Sequence, residues 1–357
     1  MQLKLSDYTI YIESLNERLA SVIATHAYSR IFVLCDTNTA KCCLPKLQEA
    51  LGNTALTVIE IQAGELHKNI DTCQIIWNAL MHGKADRKSL LLNLGGGVIG
   101  DMGGFCAATF KRGMDFMQLP TTLLSQVDAS IGGKLGIDFG DIKNSIGVFC
   151  NPKAIFIDTR FLETLSAHEL RSGYAEILKH SLIADAEQWE SLSQNVTLAT
   201  LDWNVIIPES LKIKQHIVAQ DPFEQNIRKG LNFGHTIGHA FESMALNTAT
   251  PLLHGEAIAE GMVMEAYLSH RLGTLSTTDF EAILLYIKAL YKPIVRFTPE
   301  NYEVLYSLML QDKKNEGDKI MFTTLRGIGN FEYNTQCSKA LVMESLNFFN
   351  KNITDFF

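Results

Sequence analysis

Ser89–Gly100, SLLLNLGGGVIG, places a short apolar run directly before a glycine-rich turn. The run reads as a strand, and Gly95–Gly100 fits the pattern G-x-G-x-x-G. Glycines at such a turn let the backbone approach a pyrophosphate. The N-terminus of the helix that follows favours its charge. Glycine turns between a strand and a helix are common, so the motif alone does not name a ligand. Asp101 stands at the start of that helix. The acidic partner for ribose expected about 20 residues downstream is missing. Asp36, at the end of an earlier strand, is the better candidate for ribose hydroxyls.

Other apolar runs on either side repeat the alternation. Ile31–Asp36, Thr57–Gln62, Phe116–Leu119 and Ala154–Asp158 read as strands. Thr39–Leu51 and Ile70–Met81 read as amphipathic helices between them, and Met1–Tyr11 alternates like a further strand. Strands alternating with helices imply a mostly parallel sheet covered on both faces. From about Ala167 the character changes. Ile258–Leu272, IAEGMVMEAYLSHRL, repeats apolar residues at helical spacing, and Met321–Thr324 is the late strand-like exception. The expectation is an α/β Rossmann-like domain over residues 1–166 and an all-α domain over residues 167–357.

Composition narrows the function. The 357 residues carry a formal net charge of −8, which argues against nucleic acid as a partner. No apolar run approaches the roughly 18 residues of a membrane-spanning helix, so no membrane partner is expected. The start has no basic segment leading into an apolar core, as a secretory signal would. Seven cysteines, none in CxxC spacing, suggest reduced thiols in a cytoplasm. Basic residues nevertheless recur inside the glycine-rich segments: Arg112, Lys134, Lys143, Lys179, Lys214 and Arg228. Each alone reads as a solvated surface charge. Together they suit a small anionic substrate.

Three distant segments offer metal donors: Gly173–His180 (GYAEILKH), Gly234–Ala240 (GHTIGHA) and His254–Glu256 (HGE). Two imidazoles and one carboxylate make a catalytic zinc set with an open position. Glu176 and Lys179 are three apart and share a helix face, which by default is a surface ion pair. His235 and His239 are four apart and also share a face. The spacing is that of HExxH proteases, but Thr236 replaces the glutamate that serves as general base there. Pro120–Leu124 (PTTLL) brings adjacent hydroxyls, for which helix capping is the default role. Asp128–Lys134 (DASIGGK), with Lys143 and Asn144, looks like a loop built around an anion.

Taken in order, the segments resemble the 3-dehydroquinate synthase family along nearly the whole chain. The resemblance rests on GGGVIGDMGGF (Gly95–Phe105), KRG (Lys111–Gly113), PTTLLSQVDASIGGK (Pro120–Lys134), KNSIGVF (Lys143–Phe149), GYAEILKH, RKGLNFGHTIGHAFE (Arg228–Glu242), LHGEA (Leu253–Ala257) and DKK (Asp312–Lys314). It implies a two-domain fold, NAD as cofactor, and zinc or cobalt as the divalent cation. The metal ligands it implies are Glu176, His235 and His254. His239 moves to the substrate pocket, where spacing alone had left it a possible ligand.

The resemblance further implies a substrate site of Asp128, Lys134, Asn144, Lys179, Lys214, Arg228, Asn232, His239 and Lys313, with Lys143 in the same segment. Arg112 matches an arginine that reaches the substrate phosphate from a neighbouring subunit, which implies a homodimer. The implied NAD positions are Asp36, Glu65, Lys68, Gly96, Gly97, Asp101, Thr121, Thr122, Leu124 and Thr164. The implied reaction converts 3-deoxy-D-arabino-heptulosonate 7-phosphate to 3-dehydroquinate and phosphate, the second step of the shikimate pathway. It runs by transient oxidation by NAD, phosphate elimination, reduction and intramolecular aldol closure. Another sugar-phosphate cyclase, or a polyol dehydrogenase dependent on NAD and metal, is the alternative. Three residues depart from the family pattern: Leu135 for Thr, Asp138 for Asn and Ile142 for Gly. Lys134, Lys143 and Asn144 stay in place.

Overall fold

Apolar runs become strands where both faces of a sheet are covered. The computed structural model describes residues 1–140, 142–195, 197–246, 248, 251–292, 297–311 and 319–354. Its contacts divide the chain into two compact units. Met1–Leu170 with Trp203–Gln215 forms the first, and Arg171–Asp202 with His216–Phe357 the second.

The first unit begins with a hairpin, β1 (Gln2–Lys4) and β2 (Thr9–Ile12), where the sequence pattern suggested one strand. Then come α1 (Leu15–Ala24), β3 (Ile31–Asp36), α2 (Thr37–Cys42), α3 (Leu44–Leu51), β4 (Leu56–Ile61), α4 (Ile70–His82), β5 (Leu90–Gly95), α5 (Gly97–Thr109) and β6 (Asp115–Pro120). The helix expected over Thr39–Leu51 breaks at Cys43. Pro45 lacks the N–H that a continuous helix needs and sits in the first turn of α3, where none is required. β7 (Lys134–Phe139), β8 (Ile142–Phe149) and β9 (Ala154–Ile157) complete the strands.

The main sheet has the order β1-β2-β9-β6-β5-β3-β4, parallel except for the β1–β2 pair. Every residue of β5 is buried. Period two sorts β3 into two cores: Phe32 and Leu34 face α4 and α5, while Val33 and Cys35 face α1 and α3. The chain runs from β3 outward to β4, then crosses back to β5 on the other side of β3. The C-terminal ends of β3 and β5 thus form the topological switch point, where sheets of this kind bind ligands. Asp36 and Gly95 stand at those ends.

Lys134, Lys143 and Asn144, which the sequence places in an anion-binding loop with Asp128, lie in the structure on the ribbon β7–β8. Leu135 and Ile137 are buried under α5, but β8 is largely exposed, so neither strand shows a run long enough to announce itself. Four of the seven free thiols, those of Cys35, Cys43, Cys73 and Cys106, are buried.

α6 (Ala167–Ala184) is shared by the units and α8 (Trp203–Gln220) likewise; α7 (Ala186–Ser193) lies in the second. The second unit continues with α9 (His235–Ala245), α10 (His254–Arg271), α11 (Thr277–Tyr291) and α12 (Tyr302–Leu310). The antiparallel pair β10 (Met321–Leu325) and β11 (Phe331–Gln336) follows, then α13 (Lys339–Thr354). α10 is its axis: Gly255–Ser269 are buried, with α9, α11, α13 and β10 packed around them. Among the described residues no helix is long and apolar enough to cross a membrane.

α9 and α10 approach closely enough to require glycine. A Cβ on Gly261 would lie 2.0 Å from the Gly234 carbonyl oxygen, and one on Gly238 would lie 2.8 Å from that of Ala257. Backbone on the far side cannot swing away as a side chain can. Gly261→Ala is therefore expected to cost about 2–3 kcal/mol, the scale of overpacking a tight core. Urea unfolding of the metal-free protein measures this, and a loss under about 0.5 kcal/mol would contradict the close approach.

Candidate functional site

In the second unit, α6 carries Glu176 and Lys179 one turn apart. Both side chains are almost fully buried, unlike the surface pair that the spacing suggested. Burying a lone carboxylate is costly, so the pair must be compensated. The Lys179 ammonium sits on Glu176 Oε2. The other oxygen, Oε1, faces two imidazoles: His254 Nε2 is 3.5 Å away and His235 Nε2 is 3.7 Å away.

Those imidazoles come from helix starts. His235 is the first residue of α9 and His254 the first of α10. The start of α10 is fixed on α6: the Gly255 amide donates to Ser172 Oγ at 3.0 Å, and a Cβ on Gly255 would meet the Ser172 carbonyl oxygen at 1.8 Å. Ser172 is one turn before Glu176, so this contact sets His254 beside the carboxylate. The start of α9 is fixed by Glu265 of α10. Its buried carboxylate accepts from the amides of Gly234 (2.8 Å), Thr236 (3.1 Å) and Ile237 (3.3 Å). An anion there satisfies amides that have no partner within the helix and complements its dipole.

Glu176, His235 and His254 can each give one donor atom to a shared cation, all within 4.8 Å of one another. Metal–ligand bonds of about 2.0–2.2 Å at near-tetrahedral angles hold donor atoms about 3.3–3.5 Å apart. The two carboxylate–imidazole separations, 3.5 and 3.7 Å, differ from that by at most a few tenths of an ångström, so the donor set fits a divalent cation. Both imidazoles present Nε2 because Nδ1 is occupied. His235 Nδ1 lies 3.2 Å from the Phe233 carbonyl oxygen, and His254 Nδ1 lies 3.2 Å from Glu242 Oε2. In the metal-free protein, burial would lower the His254 pKa, but hydrogen bonds to Glu176 and Glu242 push it up to about 10.

His239, one turn after His235 on α9, stacks edge-on to it with ring centroids 5.2 Å apart and lies 5.8 Å from His254. Arg228 is buried. Its amide donates to Asp221 and its guanidinium to the Pro222 carbonyl. Asn232 donates to Glu224 at 2.7 Å. Lys313 lies outside the described residues.

In the first unit, Lys68 is buried and its ammonium donates to Asp101 (2.7 Å) and Asn144 (2.6 Å). Burial opposes its charge, but Asp101 and Glu65 outweigh that and hold its pKa above the usual lysine value. Lys143 lies 3.7 Å from Glu65. Asn144 has a left-handed backbone, φ 49°, held by its amide donating to Asp138 at 2.7 Å. Glu65, Lys68, Asp101, Lys143 and Asn144 thus form one polar cluster, which mixes implied NAD and substrate positions. Asp128 and Lys214 are also together: the Lys214 ammonium donates to the Asp128 carboxylate and, at 2.7 Å, to its carbonyl.

Gly96 caps α5 and Gly97 begins it, so the glycine-rich motif does open a helix after a strand. Thr122 is engaged with Ser125, the capping role that was its default. Thr121 is buried, its amide bound to the Gly95 carbonyl. Leu124 directly precedes the short π-helix Ser125–Ala129. Asp36 accepts from the Asn38 and Thr39 amides at the start of α2. Thr164 ends a short 3-10 helix and is exposed. Lys134 is exposed at the start of β7. Arg112 is exposed in a tight turn, with φ +66°.

Sequence reasoning missed Glu242, Glu265 and Ser172. Glu265 left a signal, as a carboxylate inside the apolar stretch IAEGMVMEAYL. Glu242 follows His235 by seven residues and so shares its face.

The fold is shared with cyclising synthases and, less closely, with polyol dehydrogenases. A solved 2-deoxy-scyllo-inosose synthase, in complex with carbaglucose-6-phosphate, NAD+ and Co2+, superposes with a TM-score of 0.87 at 23% identity, covering 98% of this chain and 99% of that one. A glycerol dehydrogenase from Schizosaccharomyces pombe gives 0.64 at 15% identity, covering 96% of this chain and 89% of that one. Sequence narrows the class. The family models for the 3-dehydroquinate synthase N-terminal and C-terminal regions match residues 58–172 and 173–315. A 3-dehydroquinate synthase from Parabacteroides distasonis is 42% identical over 346 residues, 96% of this chain and 98% of its own. One from Helicobacter pylori is 39% identical over 317 residues, 89% of this chain and 91% of its own. The chain belongs to the 3-dehydroquinate synthase family.

If Glu265 positions α9, removing its carboxylate leaves buried amides without an acceptor. Glu265→Ala is expected to lower stability by about 3 kcal/mol, and Glu265→Gln, which keeps one acceptor oxygen, by about half of that. Chemical denaturation reads both; indistinguishable curves for parent and Glu265→Ala would remove the role.

Proposed function

We propose that this chain is a 3-dehydroquinate synthase that converts 3-deoxy-D-arabino-heptulosonate 7-phosphate to 3-dehydroquinate and phosphate. The observation that carries the reading is the donor set of Glu176, His235 and His254 in a chain 42% identical, over nearly its full length, to a relative of that name. Zinc is the proposed cation, held by those three residues, and cobalt fits the same donors. NAD is the proposed cofactor, at the switch point beside Asp36, Gly96 and Gly97, with Glu65, Lys68, Asp101, Thr121, Thr122, Leu124 and Thr164. When bound, NAD accepts and returns a hydride, and the cation stabilises negative charge on a substrate oxygen.

The chain's own groups position a flexible, doubly anionic sugar acid. Lys214 and Arg228 are assigned to its carboxylate. Lys134, Asn144, Asn232, His239 and Lys313 are assigned to its phosphate, with Arg112 supplied by a second subunit of a homodimer. Asp128 holds the Lys214 ammonium, Lys143 stands beside Asn144, and Lys179 holds Glu176. Charge-assisted hydrogen bonds of this kind fix orientation as well as compensate charge. No dedicated base stands out among these groups, which suits a reaction in which the departing phosphate takes the proton. Seven free thiols suit a cytoplasmic enzyme.

The test is release of phosphate from the heptulosonate phosphate with NAD+ and Zn2+ present, followed together with NADH absorbance. Phosphate without net NADH, and dehydroquinate by product NMR, is the expected result. NADH accumulating with simple polyols would make the chain a dehydrogenase. Release only from a sugar phosphate lacking the carboxylate would make it another cyclase. Glu176→Ala is expected to abolish both metal binding and turnover. Lys134→Ala is expected to lower kcat/KM by about 100-fold through poorer phosphate positioning.

A further inference from the structure

We propose that Glu242 is a positioning residue of the metal centre: its carboxylate holds His254 so that Nε2 faces the cation and Nδ1 cannot. This rests on the assignment of the cation to Glu176, His235 and His254, and adds a fourth side chain outside that set. Glu242 lies two turns along α9 from His235 and is buried, and its Oε2 is 3.2 Å from His254 Nδ1. An ionised carboxylate only accepts hydrogen bonds, so the ring nitrogen facing it must donate. With the proton on Nδ1, the lone pair available for a metal is on Nε2, the atom 3.5 Å from Glu176 Oε1.

The two histidines reach the same state by different means. His235 Nδ1 is held by the Phe233 carbonyl, part of its own chain segment. His254 is the first residue of its helix and is the more exposed of the two, with 28% side-chain exposure against 11%. Among the described residues the partner of its Nδ1 is Glu242, so its ring orientation depends on a side chain from a neighbouring helix.

Glu242 also decides between two arrangements. His239, Glu242 and His254 could form a second donor set, with atoms likewise within 4.8 Å. While Nδ1 donates to Glu242, that nitrogen is not a ligand, and the cation is confined to the Glu176 side. Carboxylates that orient a metal-bound imidazole in this way also raise its basicity, and losing one weakens metal binding by about 10–100-fold.

The experiment measures Zn2+ and Co2+ affinity of the metal-stripped full chain by competition with a chelator, for the parent, Glu242→Ala, Glu242→Gln and Glu176→Gln. The visible absorption of the Co2+ form and the melting of the metal-free form are recorded for each. Glu242→Ala is expected to bind about 10–100-fold more weakly. Glu242→Gln, whose amide oxygen can still accept from Nδ1, is expected to recover to within about tenfold of the parent and to keep its Co2+ spectrum. Glu242→Ala binding like the parent overturns the proposal. So does Glu242→Gln losing as much affinity as Glu176→Gln, which would make Glu242 a direct ligand. If Glu242→Ala melts too early to be read, the Glu242→Gln comparison decides between those outcomes. A parent that binds no metal, or a Glu176→Gln variant that binds as the parent does, would instead remove the metal assignment on which the proposal rests.

Discussion

A carboxylate with no solvent exposure, Glu176, imposes the arrangement of everything near it. Its charge cannot stay buried unless each oxygen meets a compensating group. Lys179 answers on one side, and two imidazoles with a place for a cation answer on the other. The same requirement reaches outward. A neutral imidazole offers a lone pair at Nε2 only while Nδ1 carries the proton, a tautomer favoured by an acceptor at Nδ1, and a backbone carbonyl and a second carboxylate stand there.

Backbone contacts hold these charges in place. α10 meets α6 at Gly255 and Ser172, and meets α9 at Gly261 and Gly234, each at a distance that no side chain permits. Glu265 then anchors the start of α9 through three amides. The helical unit is thus a set of close crossings that leave helix N-termini, and the histidines on them, beside one acidic side chain. In the α/β unit a comparable service falls to Lys68, which ties Asp101 on α5 to Asn144 on β8.

The three departures from the family pattern have structural readings. Leu135 fills the core against α5, where a Cβ on Gly104 would lie 2.4 Å from its side chain. Asp138 accepts from the Asn144 amide and so holds a left-handed turn. Ile142 is exposed at the start of β8. Each lies in the β7–β8 ribbon, and none removes Lys134, Lys143 or Asn144.

The sequence by itself determined the strands of the parallel sheet, because runs such as SLLLNL are apolar on both faces. It determined the helical character of Ile258–Leu272 through its period, and the family through ordered segments along the chain. Helix spacing and residue type, which are local properties, marked Glu176, His235, His239 and His254 as candidate donors, and the resemblance narrowed them to Glu176, His235 and His254. Only the tertiary structure decided that the Glu176–Lys179 pair is buried, that β7–β8 is a ribbon, and that Glu242 and Glu265 belong to the site. The reason is range. Periodicity fixes which residues share a helix face, but which carboxylate meets which imidazole depends on how helices cross, and those crossings are set by glycine contacts between segments far apart in the chain.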